Sequence, residues 1–363
     1  MSTADLATMP RSRPSGRRLL SGTTWLGLRQ DRTPLLIAGS VLVLLCGWMV
    51  YLHSRIADQI AEWHLQGCNV VYFPAECEGS QAIALDAHWG IAVMITGWLL
   101  VILPIAFGLF YAAPLLAREF ETGTYALAWT QSVSRQRWLA ARLGVPLLLT
   151  LVGSSLLAVV STRFVHQVEG RFSLPGLYHW FSWMSRSASG PSLVASCLLS
   201  VALGAAVGLV VRRVVASIVV TAVLTVAVRF AVDSGRYLLT PAREALASIR
   251  MASPDAVDRM SVVQSGRVST SSPLESHIVE NGLLTRDGLR IPTDSDWIGT
   301  LPDGTAVCPT DACKAHYDVI DRAYTLYHPP ADEWMMHWTQ TGLSLLATAA
   351  LLVFCALWVR RVR

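Results

Sequence analysis

Six apolar runs organise the chain: Pro34–Leu52, Gly90–Ala113, Leu143–Ser161, Gly190–Val211, Val214–Val232 and Trp338–Val359. Each comes close to or exceeds the ~20 apolar residues that a helix needs to cross a bilayer. The polar segments between them alternate in character. Arg11, Arg13, Arg17, Arg18, Arg29 and Arg32 precede the first run, and Arg118, Arg135, Arg137 and Arg142 lie between the second and third. Arg212 and Arg213 fill the turn between the fourth and fifth, and Arg360, Arg361 and Arg363 end the chain. Excess Lys and Arg marks cytoplasmic loops, and six alternating crossings put all four segments on one side. The pattern predicts an all-α polytopic membrane protein of six transmembrane helices with cytoplasmic termini.

The same pattern divides the chain. Residues 1–33 form a cytoplasmic tail in which Leu19, Leu20, Trp25, Leu26 and Leu28 mix with arginines over Leu19–Arg32. That mixture predicts an amphipathic elbow helix lying on membrane lipid; a disordered basic tail is the alternative. The tail does not read as a secretory signal, because no small-residue cleavage site follows the first run. Residues 34–232 carry spans one to five with a cytoplasmic loop at 114–142. Residues 233–336 form an extracytoplasmic segment, and residues 337–363 the last span and a basic tail.

Composition agrees, with 53% hydrophobic and 15% charged residues and a mean hydropathy of +0.44. Lys314 is the one lysine among 29 basic residues, an arginine bias that suggests a high-GC, actinobacterial source. It also limits the chemistry. A phosphate-cradling Walker A loop needs a lysine after glycines, and Thr310-Asp311-Ala312-Cys313-Lys314 has no such loop. His-Glu-x-x-His and Gly-x-Ser-x-Gly patterns are missing too. No catalytic residue, cofactor site or metal site is expected in this chain, and no nucleic-acid partner.

Arg229 is the one ionisable residue well inside a run. Such groups mark ion and proton pathways, so proton- or sodium-driven transport is disfavoured. Arg229 is read as pairing with Asp233 one turn later and snorkelling outward. Ser196, Ser200, Gly204 and Gly208 recur every four residues, a small-residue stripe for close helix packing. Pro104 and Pro146 are expected to bend the second and third spans.

Cys46, Cys197 and Cys355 fall within runs, where a thiol acts as a small apolar group. Cys68 and Cys77 share one outer segment, and Cys308 and Cys313 another. Outside the membrane these predict two disulfides. Cys68–Cys77 with Cys308–Cys313 is the simplest of three connectivities. In the outer segments, residues 53–63 read as an extension of the first helix. Tyr178, Trp180, Phe181 and Trp183 suit the headgroup level. Thr240-Pro241 looks like a cap and first residue of a helix through Arg250. Turns are expected at Asp294-Ser295-Asp296, Pro302-Asp303-Gly304 and Pro309-Thr310-Asp311.

The loop at 114–142 is the most informative segment. Ala117–Trp129 reads as a short helix interrupted only by Gly123, with Phe120, Thr124, Leu127 and Ala128 on a common side. Glu119 and Glu121 near its start would suit the positive end of its dipole. A solvated turn explains the arginines, but not Phe120, Tyr125 and Trp129 on a cytoplasmic helix.

Arg118, Glu119, Glu121, Gly123, Thr124, Ser134, Arg135 and Arg142 follow the order Arg-Glu-x-Glu-x-Gly-Thr, then Ser-Arg and a further basic residue. In this the chain resembles the permease subunits of type-2 ABC exporters. Ser132 stands where many members have proline, and residues 233–336 are longer than usual. The resemblance implies that Arg118, Glu119, Phe120, Glu121, Gly123, Thr124 and Arg135 belong to a coupling helix seated in a separate ATP-binding subunit. It implies a second permease copy or homologue, ATP and Mg on the partner subunit, location in a bacterial plasma membrane, and export. A membrane-anchored sensor or assembly factor working through its outer segment is the alternative. An intramembrane enzyme would need acid, base or metal ligands that the runs lack.

Overall fold

The computed structural model describes residues 32–66, 79–125, 134–169, 171–172, 182–250, 264–266, 276–292, 298–300, 306 and 311–361. Among the described residues, six helices are long and apolar enough to cross a membrane. The first, α1, covers Arg32–Glu62, so the polar stretch after Leu52 continues the helix as expected. The second span is compound: α2 (Gly79–Ala106), a π-helical segment (Phe107–Ala112) and α3 (Ala113–Glu121) follow without a break. Pro104 lies one turn before the π segment and cannot donate a backbone N–H. The extra residue of a π turn changes the helical phase of everything after it.

The third span is α4 (Arg135–Val168), whose N-cap Ser134 accepts from the Arg137 N–H at 3.4 Å. After the short α5 (Trp183–Ala188), α6 (Gly190–Val211) forms the fourth span with the bounds its apolar run predicts. The fifth is α7 (Val214–Leu239).

The centre of the bundle is α6, which touches the π segment, α3, α4, α7 and the last span. Its small residues explain the closeness. A Cβ on Gly204 would stand 2.4 Å from the Gly108 carbonyl oxygen, and one on Gly208 2.5 Å from that of Ala113. Backbone therefore lies on backbone, where dispersion rather than water exclusion holds helices together in lipid. Ser196 and Ser200 are buried on the same helix, and Ser200 Oγ donates to the Ser196 carbonyl at 2.9 Å.

The segment between spans five and six departs from the all-α expectation. Residues predicted as a helix from Thr240 form strand β1 (Arg243–Ser248), followed by β2 (Gln264–Gly266), β3 (His277–Thr285), β4 (Arg290–Pro292) and β5 (Ile298–Thr300). A four-residue helix, α8 (Asp311–Lys314), precedes β6 (Ile320–His328). The antiparallel order is β1-β6-β3-β4, with β2 and β5 paired separately. Arg-Glu-Ala-Leu-Ala-Ser has good helix formers, but pairing with β6 from Arg243↔Tyr327 to Ser248↔Arg322 outweighs that local preference.

Leu283, Ile291, Ala306, Ile320 and Ala323 pack with Cys313 beneath this sheet. Cys313 is fully buried and disulfide-bonded; Cys68, Cys77 and Cys308 lie outside the described residues. Arg243 Nη2 donates to buried Asp332 at 3.0 Å, tying β1 to the lead-in of α9 (Glu333–Arg361), the sixth span. The elbow segment before Arg32, the rings of Tyr178, Trp180, Phe181 and Trp183, and the Asp294, Pro302 and Pro309 turns fall outside what is described.

Candidate coupling site

The Arg118–Glu121 sequence forms the last turn of the second span rather than the opening of a separate helix. The compound helix runs on to Glu121, and Gly123 ends it with φ +72°. Thr122 N–H donates to the Arg118 carbonyl at 3.0 Å and Gly123 N–H to that of Phe120 at 3.4 Å. Nothing lies within 4 Å of a Cβ built on Gly123, so its left-handed backbone, not crowding, calls for glycine. Helical backbone resumes at Thr124 and Tyr125, and 126–133 are outside the described residues.

This placement reverses the dipole argument for the two carboxylates. A helix C-terminus disfavours an anion, and both stand at one. Glu119 is offset by an ion pair with Arg142 of α4, both side chains being mostly buried. Glu121 reaches the start of another helix: its Oε2 accepts from the Val214 N–H of α7 at 2.9 Å. That N–H is one of the donors a helix N-terminus leaves unpaired, and the positive end of α7 favours the carboxylate by ~0.3–1 kcal/mol at an exposed site.

Phe120 is not an outward knob. It is 8% exposed and packs with Leu116, Trp138, Leu139 and Leu143 inside the chain's own core. Its ring meets Tyr125 at 4.7 Å and Trp138 edge-on at 6.2 Å. Arg212 covers it, with the guanidinium carbon 5.4 Å from the ring centroid. Arg212 also holds φ +57° as the C-cap of α6, its N–H on the Gly208 carbonyl at 3.1 Å. A residue read as a topology charge thus forms the turn between spans four and five and clasps the end of span two. The sequence signal was available: two residues between two spans leave no room for a loop, so one must turn sharply.

Among the described residues of the corner, Arg118, Glu121, Thr122, Gly123 and Thr124 are exposed, as are Arg212 and Arg213. Thr122 Oγ1 donates to the Arg118 carbonyl at 2.8 Å and lies 3.1 Å from Thr124 Oγ1. Arg135 is half-buried at the start of α4. The corner therefore joins the ends of spans two, three, four and five.

Sequence reasoning missed a second polar group at the opposite end. Ser192 Oγ lies 3.1 Å from Nδ1 of buried His337, whose Nε2 is 3.8 Å from Glu333. The Gly190 N–H donates to Thr162 Oγ1 at 2.8 Å. Spans three, four and six meet here, and Glu333 and His337 are one turn apart. Arg229, read as pairing with Asp233, also reaches the second span, where it donates to the Val101 carbonyl at 3.2 Å.

Among the described residues, six helices long and apolar enough to span, a close-packed centre and a corner joining four of them define a polytopic membrane protein. Residues 39–236, more than half of the 363, match the family described as ABC-2 membrane transporter related. The chain belongs to that family, as a multi-pass plasma-membrane permease component rather than a catalytic one. No curated protein and no solved structure matches it.

Proposed function

We propose that the chain is the membrane-spanning subunit of an ABC exporter, paired with a second copy or a homologue. Separate ATP-binding subunits hold ATP and Mg and push on the cytoplasmic corner around residues 118–137. The single observation that supports this reading is the Glu121 contact with Val214, which links the end of span two to the start of span five. A displacement applied at Arg118–Thr124 is then delivered to several spans at once. Because Phe120 is buried, the docking surface consists of Arg118, Glu121 and the Thr122–Thr124 turn, with Phe120 stiffening it from behind. Arg135 fixes the far end of the loop, and Glu119 holds α3 to α4. The Ser196, Ser200, Gly204 and Gly208 stripe keeps span four against span two during that motion.

Purification of the tagged chain from native membranes tests the reading. Co-isolation of an ATP-binding subunit is expected, with ATP hydrolysis by the complex and none by the chain alone. The folded sheet between spans five and six favours a second reading, an anchored sensor or assembly factor. Isolation with an outer partner and no ATP-binding subunit would favour it.

A further inference from the structure

We propose that His166, Glu169, Glu333 and His337 form a proton-operated latch between spans three and six, closed when His166 is charged and loosened when it is neutral. The latch lies at the end of the bundle opposite the coupling corner and does not depend on the transport reading.

Local structure places the charges. His166 occupies the last turn of α4 and Glu169 is its C-cap, with His166 Nδ1 3.4 Å from Glu169 Oε2. A helix C-terminus favours a cation and disfavours an anion, so Glu169 relies on a charged His166. Glu333 opens α9 one turn before His337, whose Nε2 is 3.8 Å from the Glu333 carboxylate. Helices α4 and α9 pack against each other, and Glu333 interacts electrostatically with both Glu169 and His166. The two carboxylates therefore repel across the seam, while a charged His166 attracts both.

The groups around the seam leave His166 as the responsive member. From α6, Ser192 Oγ lies 3.1 Å from His337 Nδ1, and a Cβ on Gly190 would stand 3.2 Å from the same nitrogen. These uncharged groups fix the His337 ring, whose side chain is 4% exposed. Asp332, beside Glu333 in the chain, is held by Arg243 at 3.0 Å, with His328 4.0 Å away. The His166 side chain is 45% exposed, so solvent protons reach it directly.

The sign follows from where the proton sits. Histidine ordinarily changes charge between pH ~5 and ~8. The closed latch holds the proton, so linkage favours it as pH falls and weakens it as pH rises. Salt screens such partly buried pairs less than it screens surface charges.

Hydrogen exchange of the full chain in nanodiscs, corrected for intrinsic rates, tests this between pH ~5 and ~8. Protection of residues 336–345, near the start of α9, should fall about tenfold from the acid to the alkaline end. His166→Gln, on the other helix, should make that protection independent of pH. Glu333→Gln should do the same, at the level the wild type shows in acid, because repulsion across the seam is gone. Residues 196–208 of α6 should show no pH dependence in any of the three proteins. Constant protection of 336–345 in the wild type overturns the latch. So does a pH dependence that survives either replacement or extends equally to 196–208.

Discussion

The Glu121 carboxylate accepts the Val214 backbone N–H at 2.9 Å, across 93 residues of sequence. The last turn of the second span is thereby fastened to the first turn of the fifth. Arg212, two residues before Val214, lies over the Phe120 ring 5.4 Å away. The carboxylate ties the end of span two to α7, and the guanidinium ties the turn that ends α6 back onto span two.

Arg212 carries a separable pair of effects. Its φ of +57° costs ~1–2 kcal/mol in any residue with a Cβ, while its charge faces the Phe120 ring. Arg212→Ala keeps the backbone cost and loses the ring contact; Arg212→Gly loses the contact but relieves the backbone. The glycine variant should be more stable by about 1 kcal/mol in thermal unfolding. Equal melting temperatures would contradict the left-handed turn.

Helix glycines should respond with opposite signs. A Cβ on Gly204 meets the Gly108 carbonyl oxygen at 2.4 Å, whereas one on Gly144 meets nothing within 4 Å. Gly204→Ala should destabilise by ~1–3 kcal/mol through overpacking. Gly144→Ala should stabilise by up to about 1 kcal/mol through helix propensity. Melting of the purified variants decides it, and a neutral Gly204→Ala would contradict the backbone-on-backbone contact.

These cases mark what was legible in the sequence. Span number and the bounds of α6 could be read because a bilayer demands long uncharged runs, and Val211 and Val214 flank a charged turn. The loop motif was legible as composition, but its position was not. Whether Glu119 starts one helix or ends another depends on how far the π segment carries span two, and no local residue states that. Phe120 looked outward because its neighbours Trp138 and Arg212 are remote in sequence. The outer sheet was hidden for a similar reason: Arg243–Ser248 is helix-prone until β6 offers its edge.

The outer cysteines are expected as Cys68–Cys77 and Cys308–Cys313, while Cys46, Cys197 and Cys355 are free. Mass spectrometry of non-reduced peptides from native membranes reads the pairing. Four free outer thiols would refute it.

Tyr324 donates to Glu280 at 2.5 Å in the outer sheet. Burial first, and the Glu280 carboxylate second, push its hydroxyl up to about 12. An unfolded tyrosine loses its proton near pH ~10, so between these values only the unfolded state is ionised. The stability Tyr324 contributes is complete below pH ~10 and is lost as pH rises toward its folded value. Tyrosinate absorbance should show a late-titrating component that loses one residue's amplitude in Tyr324→Phe; an unchanged late component would contradict it.

ATP hydrolysis by the chain assembled with its ATP-binding subunit in proteoliposomes tests the coupling account most directly. Glu121→Ala should still insert and co-purify, yet lower the stimulated rate about tenfold, or ~1.4 kcal/mol. Glu121→Gln, which keeps an acceptor for the Val214 N–H, should retain most of the stimulation. Robust hydrolysis by the chain alone would contradict the account. Full stimulation and transport with Glu119, Glu121, Gly123 and Arg135 all replaced would contradict it equally.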